Sequence, residues 1–264
     1  MPSTTEITVS QLFRLIGLPH SPAIIDVRTD EEFASDPKLI PGSQRRTAEA
    51  HARWEGEYGG RSVVLVCRQG LHLSQGTGAL MRQQGIDAQT LEGGYDAWRD
   101  GGQLLVRADR LPKPDDAGRT VWVTRARPKV VRIACPWFIR RFIDPKALFL
   151  FVAPSEVAAV AVRFKATSFD VADAFWSDRG EKCTFDVMVE EFGLDSDALT
   201  RLALIVRGAD TGRLDLTGQS GGLLAASLGF SRMYRDDLAQ LEAAMSLYDA
   251  LYRWCRDASD ETHA

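Results

Sequence analysis

The 264-residue sequence predicts an α/β domain built on a parallel sheet, followed by an α+β, mostly helical second domain. Three observations predict it. Short apolar runs, AIIDV at 23–27 and RSVVLVC at 61–67, alternate with amphipathic segments across residues 7–107, as buried strands alternate with covering helices. A charged, proline-bearing stretch, ADRLPKPDDAGRT at 108–120, then interrupts the pattern as a linker does. Beyond it two further apolar strands give way, after Cys183, to nearly continuous helical periodicity. The predicted divisions are therefore 5–107, a linker at 108–120, and 121–257.

Taken in order, Ile7–Leu18 carries apolar residues at Leu12, Leu15 and Ile16 behind Ser10, which suits a short helix with a serine N-cap. Ala23–Val27 is a buried strand, and Glu31 opens a second helix. Arg61–Cys67 is an apolar strand ending in a cysteine; a glycine-bearing loop follows, then a helix over QGTGALMRQQG closed by Gly85. AQTLEGG at 88–94 adds a short strand and a turn. In the second domain VWVTRA at 121–126 and ALFLFVA at 147–153 read as strands, RIACPWFIRRFI as part of a helix, the segment from Ser155 as a helix and TSFD at 167–170 as a short strand. Helices follow over 183–193, 196–208, 219–228 and 232–256.

With 45% hydrophobic and 26% charged residues, the composition is that of a chain that buries a core, and it excludes the disordered and disulfide-scaffold classes. Thirty-two Lys and Arg against 36 Asp and Glu leave a net charge of −4, too balanced for nucleic acid or an anionic membrane as the main partner. No apolar run approaches the ~20 residues of a membrane span, and MPSTTEITVS has no signal-peptide character, so a cytoplasmic location and no membrane partner are expected. Cys67, Cys135, Cys183 and Cys255 have neither zinc-site nor disulfide spacing and read as lone thiols. His20, His51 and His263 sit in no motif.

The balanced average hides an asymmetry. Residues 120–146 hold seven Lys or Arg against Asp144 alone, a net of +6, whereas 147–264 hold 11 basic and 19 acidic residues, a net of −8. Two readings follow: the basic segment pairs with acidic helices of its own domain, or Arg125, Arg127, Arg132, Arg140 and Arg141 converge on an oxyanion through bidentate hydrogen bonds.

Cys67 has the strongest chemical signal. A thiol where a strand turns through a glycine-bearing loop into a helix meets loop N–H groups and the positive helix end, which lower its pKa from about 8.5 toward neutrality. Arg68 and His72 add positive or hydrogen-bonding character, and Gly70 lets the backbone wrap closely around a group on the sulfur. A buried structural cysteine is the competing reading by position alone.

IDVR at 25–28, EEF at 31–33, IPGS at 40–43, VVLVCRQGLHLSQG at 63–76 and LEGGYDAW at 91–98 together resemble the rhodanese family in order and spacing. The resemblance implies a sulfurtransferase in which Cys67 accepts a sulfane sulfur as a covalent persulfide. The loop Arg68, Gln69, Gly70, Leu71 and His72 would cradle that persulfide, and a thiol or cyanide acceptor would receive the sulfur from a small donor such as thiosulfate or polysulfide. No further cofactor is required. Asp26 and Arg28 match the family's Asp-x-Arg element and are expected to brace the loop. Leu39 replaces the family's usual His before Ile-Pro-Gly, and His72 stands where a basic residue is common, leaving substrate charge preference open. The related phosphatases need an Arg six positions after the cysteine; Leu73 there sets phosphatase activity aside.

WVTRARPKVVRIACPWFIRRFIDPKALFLFV, with CTFDVM, ALIVRGADT, GLLAASLGFSR and YDALYRWCR, is similar to the C-terminal domain of the chromate-resistance ChrB family. That resemblance implies a role in chromate resistance. Chromate, a tetrahedral dianion, is a physically sensible ligand for an arginine cluster at a helix N-terminus. Cys135 is an N-cap thiol open to Cr(VI) if Pro136 lies in the first helical turn, and a packed small residue if the helix begins near Lys129. Asp170, Asp173, Asp178, Glu181, Cys183 and Asp186 lie close in sequence as candidate ligands of a hard cation, Asp170, Asp178 and Glu181 foremost, or as caps and solvated carboxylates. Asp210 is expected as a cap or an Arg207 partner, and Tyr248, Tyr252 and Trp254 as packing residues. The absence of a helix-turn-helix with a basic recognition helix argues against direct DNA binding. The competing functional class is a chromate- or redox-responsive sensor without significant turnover.

Overall fold

The computed structural model describes residues 4–261, and His263 lies outside them. The chain divides into two compact units, one running to Asp109 and including Arg141–Ile143, the other comprising Arg110–Arg140 and the chain from Asp144.

The first unit contains β1 (Glu6–Ile7), α1 (Val9–Leu15), β2 (Ala23–Asp26), α2 (Asp30–Ser35), β3 (Lys38–Leu39), β4 (Gln44–Arg45), β5 (Val63–Val66), α3 (His72–Gln83), β6 (Ala88–Leu91), α4 (Gly94–Asp100) and β7 (Val106–Arg107). Strands β1-β6-β5-β2-β4 form a parallel sheet, and β3 pairs antiparallel with β7. Val63, Val64, Leu65 and Val66 are all buried, as a central strand covered on both faces requires. Thr8, rather than Ser10, caps α1: its hydroxyl accepts from the Gln11 amide and the Gln11 side chain returns the bond, a capping box that starts the helix before Ser10. The helix after Cys67 likewise starts earlier than expected, at His72, so His72 is its first residue rather than the last of the loop.

The second unit contains β8 (Val121–Arg125), α5 (Val131–Phe138), β9 (Leu148–Val152), α6 (Val157–Phe164), β10 (Thr167–Ser168), α7 (Thr184–Phe192), α8 (Asp197–Asp210), α9 (Ser220–Met233) and α10 (Asp237–Asp257). Its small parallel sheet has the order β10-β8-β9. Aromatic packing forms the core: Trp176 stacks on Phe192 at 4.6 Å, and Trp137 packs against Phe185, Tyr248 and Tyr252. Pro136 lies well inside α5. The helix passes into a π turn at Ile139–Ile143, where Asp144 N–H donates to Ile139. The expected linker is partly structured: Ala108–Arg110 forms a 3₁₀ turn, and Asp115 accepts from the Ala117 and Arg119 amides and the Arg119 guanidinium.

Candidate active site

Cys67 follows the last residue of β5, at the carboxyl edge of the sheet, where open α/β sheets bind ligands. The residue is 4% exposed, and its Sγ lies 3.1 Å from the Ser74 hydroxyl on the first turn of α3. Ser74 Oγ is also 3.2 Å from the Leu71 carbonyl, so the hydroxyl links the sulfur to the loop backbone. No side chain caps α3 at Leu71, which leaves its positive end directed at the loop.

The loop is held from below by the chain after β6. Tyr95 N–H donates to the Cys67 carbonyl and Asp96 N–H to the Arg68 carbonyl, both at 2.9 Å. Gly70 and Gly94 make this approach possible. Both have positive φ, and a Cβ on Gly94 would overlap the Cys67 and Arg68 carbonyls and the Gly70 amide. The spacing that matched LEGGYDAW thus corresponds to a packing relation: its paired glycines admit the loop, and its tyrosine supplies the amide.

Asp26 and Arg28 form a buried pair, Arg28 Nη2 to Asp26 Oδ2 at 2.6 Å with side-chain exposures of 1% and 3%. Arg28 also donates to the carbonyls of Lys38 and Asp36, and its guanidinium lies 3.7 Å from the Tyr95 ring centroid. Contacts connect this pair to the thiol-bearing residue through Asp26–Arg28–Tyr95–Cys67. Tyr95, whose hydroxyl donates to Asp36 and is pushed up by burial, Gly94 and Ser74 escaped sequence reasoning as site residues; only the LEGGYDAW and LHLSQG motifs carried a signal for them. In the loop itself, Arg68 is exposed and paired with Asp96 at 3.2 Å, Gln69 is exposed, and Leu71 is 51% exposed.

A cavity of about 420 Å³ lies along the same sheet edge, lined by Val27–Glu31, Arg45–Glu49 and Leu73. Val27 N–H donates to Val66 O and Arg46 N–H to Asp26 O, which sets the three strand ends side by side with Cys67 at one of them.

In the second unit the candidate arginines are engaged by different groups, and two of them share one carboxylate. Arg125 and Arg132 both reach Asp170, at 2.9 and 3.2 Å. Arg127, with left-handed backbone, instead donates to the Ser231 and Tyr234 carbonyls, while its amide donates to Asp237. Arg140 pairs with Glu242 on α10, and Arg141 lies in the π turn. Arg125, Arg132 and Arg140 thus pair with carboxylates of their own domain, whereas the Arg127 guanidinium bonds backbone carbonyls.

Cys135 is fully buried in mid-helix, where burial pushes its thiol well up; the N-cap geometry is absent because α5 already begins at Val131. Among the described residues no group of three His, Cys, Asp or Glu side chains is placed to hold a metal. Asp170 serves Arg125 and Arg132, Asp178 accepts from the Thr184 hydroxyl at 2.7 Å, and Glu181 is exposed. Cys183 caps α7, with Asp186 accepting from its amide and thiol. Arg207 pairs with Asp186 rather than Asp210. Asp210 accepts from Val131 N–H at the start of α5, and burial, with Asp170 and then Asp178 nearby, pushes its carboxyl up to about 6.

The ChrB C-terminal domain family matches residues 122–255, half of the chain. The chain belongs to the ChrB family. Residues 8–100 match the rhodanese-like domain family, so this ChrB-type chain carries a rhodanese-like domain before its C-terminal domain. Protein ChrB of Cupriavidus metallidurans is 34% identical over 149 residues, covering 55% of this chain and 44% of that protein; the chain thus matches under half of that relative's length. Among solved structures, a rhodanese-like domain protein from Staphylococcus aureus is 30% identical over 36% of this chain and 90% of its own, with a TM-score of 0.32. A thiosulfate sulfurtransferase from Pseudomonas aeruginosa is 22% identical over 42% of this chain and 21% of its own, with a TM-score of 0.36. A rhodanese-related protein from Thermoplasma volcanium is 20% identical over 38% and 96%, with a TM-score of 0.34. No helix among the described residues is long and apolar enough to cross a membrane.

Proposed function

We propose that this protein is a cytoplasmic rhodanese-type sulfurtransferase that carries sulfur as a persulfide on Cys67 and is linked to chromate resistance through its C-terminal domain. The observation that carries the reading is the thiol at the sheet's carboxyl edge, on a loop pinned by Tyr95 and Gly94 and beside the uncapped start of α3. The Cys67 thiolate attacks the sulfane sulfur of a donor; a new S–S bond forms on Sγ as the donor's S–S bond breaks, and the donor leaves as its reduced anion. A thiol or cyanide then attacks the outer sulfur and releases the Cys67 thiolate. Ser74 serves both protonation states: its oxygen can accept from the thiol, and its proton can turn from the Leu71 carbonyl to the thiolate.

Cyanide-dependent turnover with thiosulfate and with polysulfide, against Cys67→Ser, tests the reading. Turnover by wild type that the serine variant abolishes supports it. No turnover with either donor, or equal turnover by the variant, overturns it in favour of a sensor. Chromate or another oxyanion is the ligand proposed for the C-terminal domain, and equilibrium dialysis against chromate tests that part separately.

A further inference from the structure

We propose that a basic cavity in the second unit, lined by Arg127, Lys129, Leu228, Ser231 and Arg232, is the site at which the C-terminal domain binds a tetrahedral dianionic oxyanion. This rests on the oxyanion reading of that domain and gives the ligand a place. Charge pairing separates this cavity from the other arginines of the basic segment. Arg125 and Arg132 are held by Asp170 and Arg140 by Glu242, so an anion entering there has to displace a carboxylate. The cavity lining holds cations from two elements and contains no Asp or Glu.

The Arg127 guanidinium donates to the carbonyls of Ser231, at 2.7 Å, and Tyr234, at 3.4 Å, so backbone oxygens fix its position and leave it its formal charge. Asp237, the acid that approaches this residue, takes the Arg127 amide rather than the guanidinium. Lys129 and Arg232 are exposed and make no side-chain hydrogen bond or ion pair among the described residues. The group that turns a basic surface into a built site is Ser231. It is only 7% exposed yet lines the cavity, and its hydroxyl has no hydrogen-bond partner among the described residues. A hydroxyl on so deeply buried a residue finds its partner through the cavity. Ser231 thus acts on two sides: its carbonyl holds the guanidinium, and its hydroxyl is offered to the cavity as a donor.

A tetrahedral dianion matches this set. Guanidinium groups, an ammonium and a hydroxyl all donate, and the dianion presents acceptor oxygens in every direction. A cationic or neutral ligand leaves the charges of Lys129 and Arg232 uncompensated. The cavity, at about 420 Å³, admits such an ion together with bridging water. Arg232 comes from the last turn of α9, far along the chain from Arg127 and Lys129, so the site forms only on folding.

The test is equilibrium dialysis of the full-length chain against chromate and against molybdate, a tetrahedral dianion that thiols do not readily reduce. Lys129→Gln/Arg232→Gln, at exposed positions, is expected to raise the Kd for both ions about tenfold, and Ser231→Ala about threefold. Arg213→Gln/Arg253→Gln removes the same charge from guanidinium groups already paired with Asp215 and Asp257, and is expected to leave both constants within about twofold. Unchanged binding in Lys129→Gln/Arg232→Gln or in Ser231→Ala, or an equal loss in the paired control, overturns the site and leaves the oxyanion reading of the domain intact. Chromium retained where molybdate is not reports reduction by a thiol, and overturns the site too. Binding of neither ion by wild type removes both.

Discussion

Replacing Arg28 by leucine removes the cation from a pair that has almost no contact with water: Arg28 and Asp26 are 1% and 3% exposed, and the guanidinium makes bonds of 2.6–3.1 Å to both carboxylate oxygens. The carboxylate left behind keeps only the Arg28 amide as donor among the contacts described above. Breaking a buried pair by deleting one partner costs about 3–5 kcal/mol, and the lost stacking on Tyr95 adds to it, so a loss of about 4 kcal/mol is expected for the first domain. That is a large fraction of the ~5–15 kcal/mol typical of a whole domain. Asp26→Asn alone should also destabilise, whereas Asp26→Asn/Arg28→Leu should recover about 2 kcal/mol relative to the sum of the single changes. Urea-dependent hydrogen exchange, read on peptides from β2 and β5, isolates this domain from the second. A loss below about 1 kcal/mol for Arg28→Leu, or strict additivity in the double variant, would refute the reasoning that the pair matters because it is buried.

Gly94→Ala should disrupt both backbone and loop, since the added methyl meets fixed carbonyls and the residue has positive φ; a loss of about 2–4 kcal/mol and faster alkylation of Cys67 are expected, read by the same exchange measurement and by thiol labelling. Asp210→Asn should stabilise the second domain by about 2 kcal/mol at pH 7.5, because a carboxyl raised from 3.8 to about 6 favours folding only while protonated. The advantage should shrink as pH falls through 6 and vanish below about 3.8; an advantage independent of pH contradicts the origin assigned to it. Peptide mapping after iodoacetamide treatment of the native protein should find Cys67 modified before Cys135 and Cys183, whose thiols burial pushes up, and before Cys255, pushed up to about 11.

What was legible in the sequence follows the distance over which the chemistry is encoded. Cys67, its loop and the strand beneath it form one continuous segment, so strand, turn and thiol position could be read together. The Asp26–Arg28 element is equally local; its bracing role is an expectation from family resemblance, and the stacking of Arg28 on Tyr95 was not visible in the sequence. Gly94 and Tyr95 lie more than twenty residues after Cys67, and neither glycine spacing nor aromatic content reveals that one admits the loop and the other donates to it.

The second domain shows the same limit more strongly. Its basic run was visible, but the carboxylates Asp170 and Glu242 and the carbonyls that bind Arg127 come from distant segments, and a linear charge map cannot distinguish convergence on a ligand from internal pairing. Cys135 turned on a single helix boundary. Starting α5 at Val131 moves Pro136 into the helix and the thiol into the core.

The most direct test is the mass of full-length protein after incubation with a sulfane donor and again after cyanide. A persulfide carrier gains one sulfur atom, located by peptide mapping on Cys67, loses it to cyanide as thiocyanate, and gains nothing as Cys67→Ser. A wild-type chain whose mass does not change with any donor, or whose added sulfur lies on another cysteine, contradicts the assignment of Cys67 as the carrier.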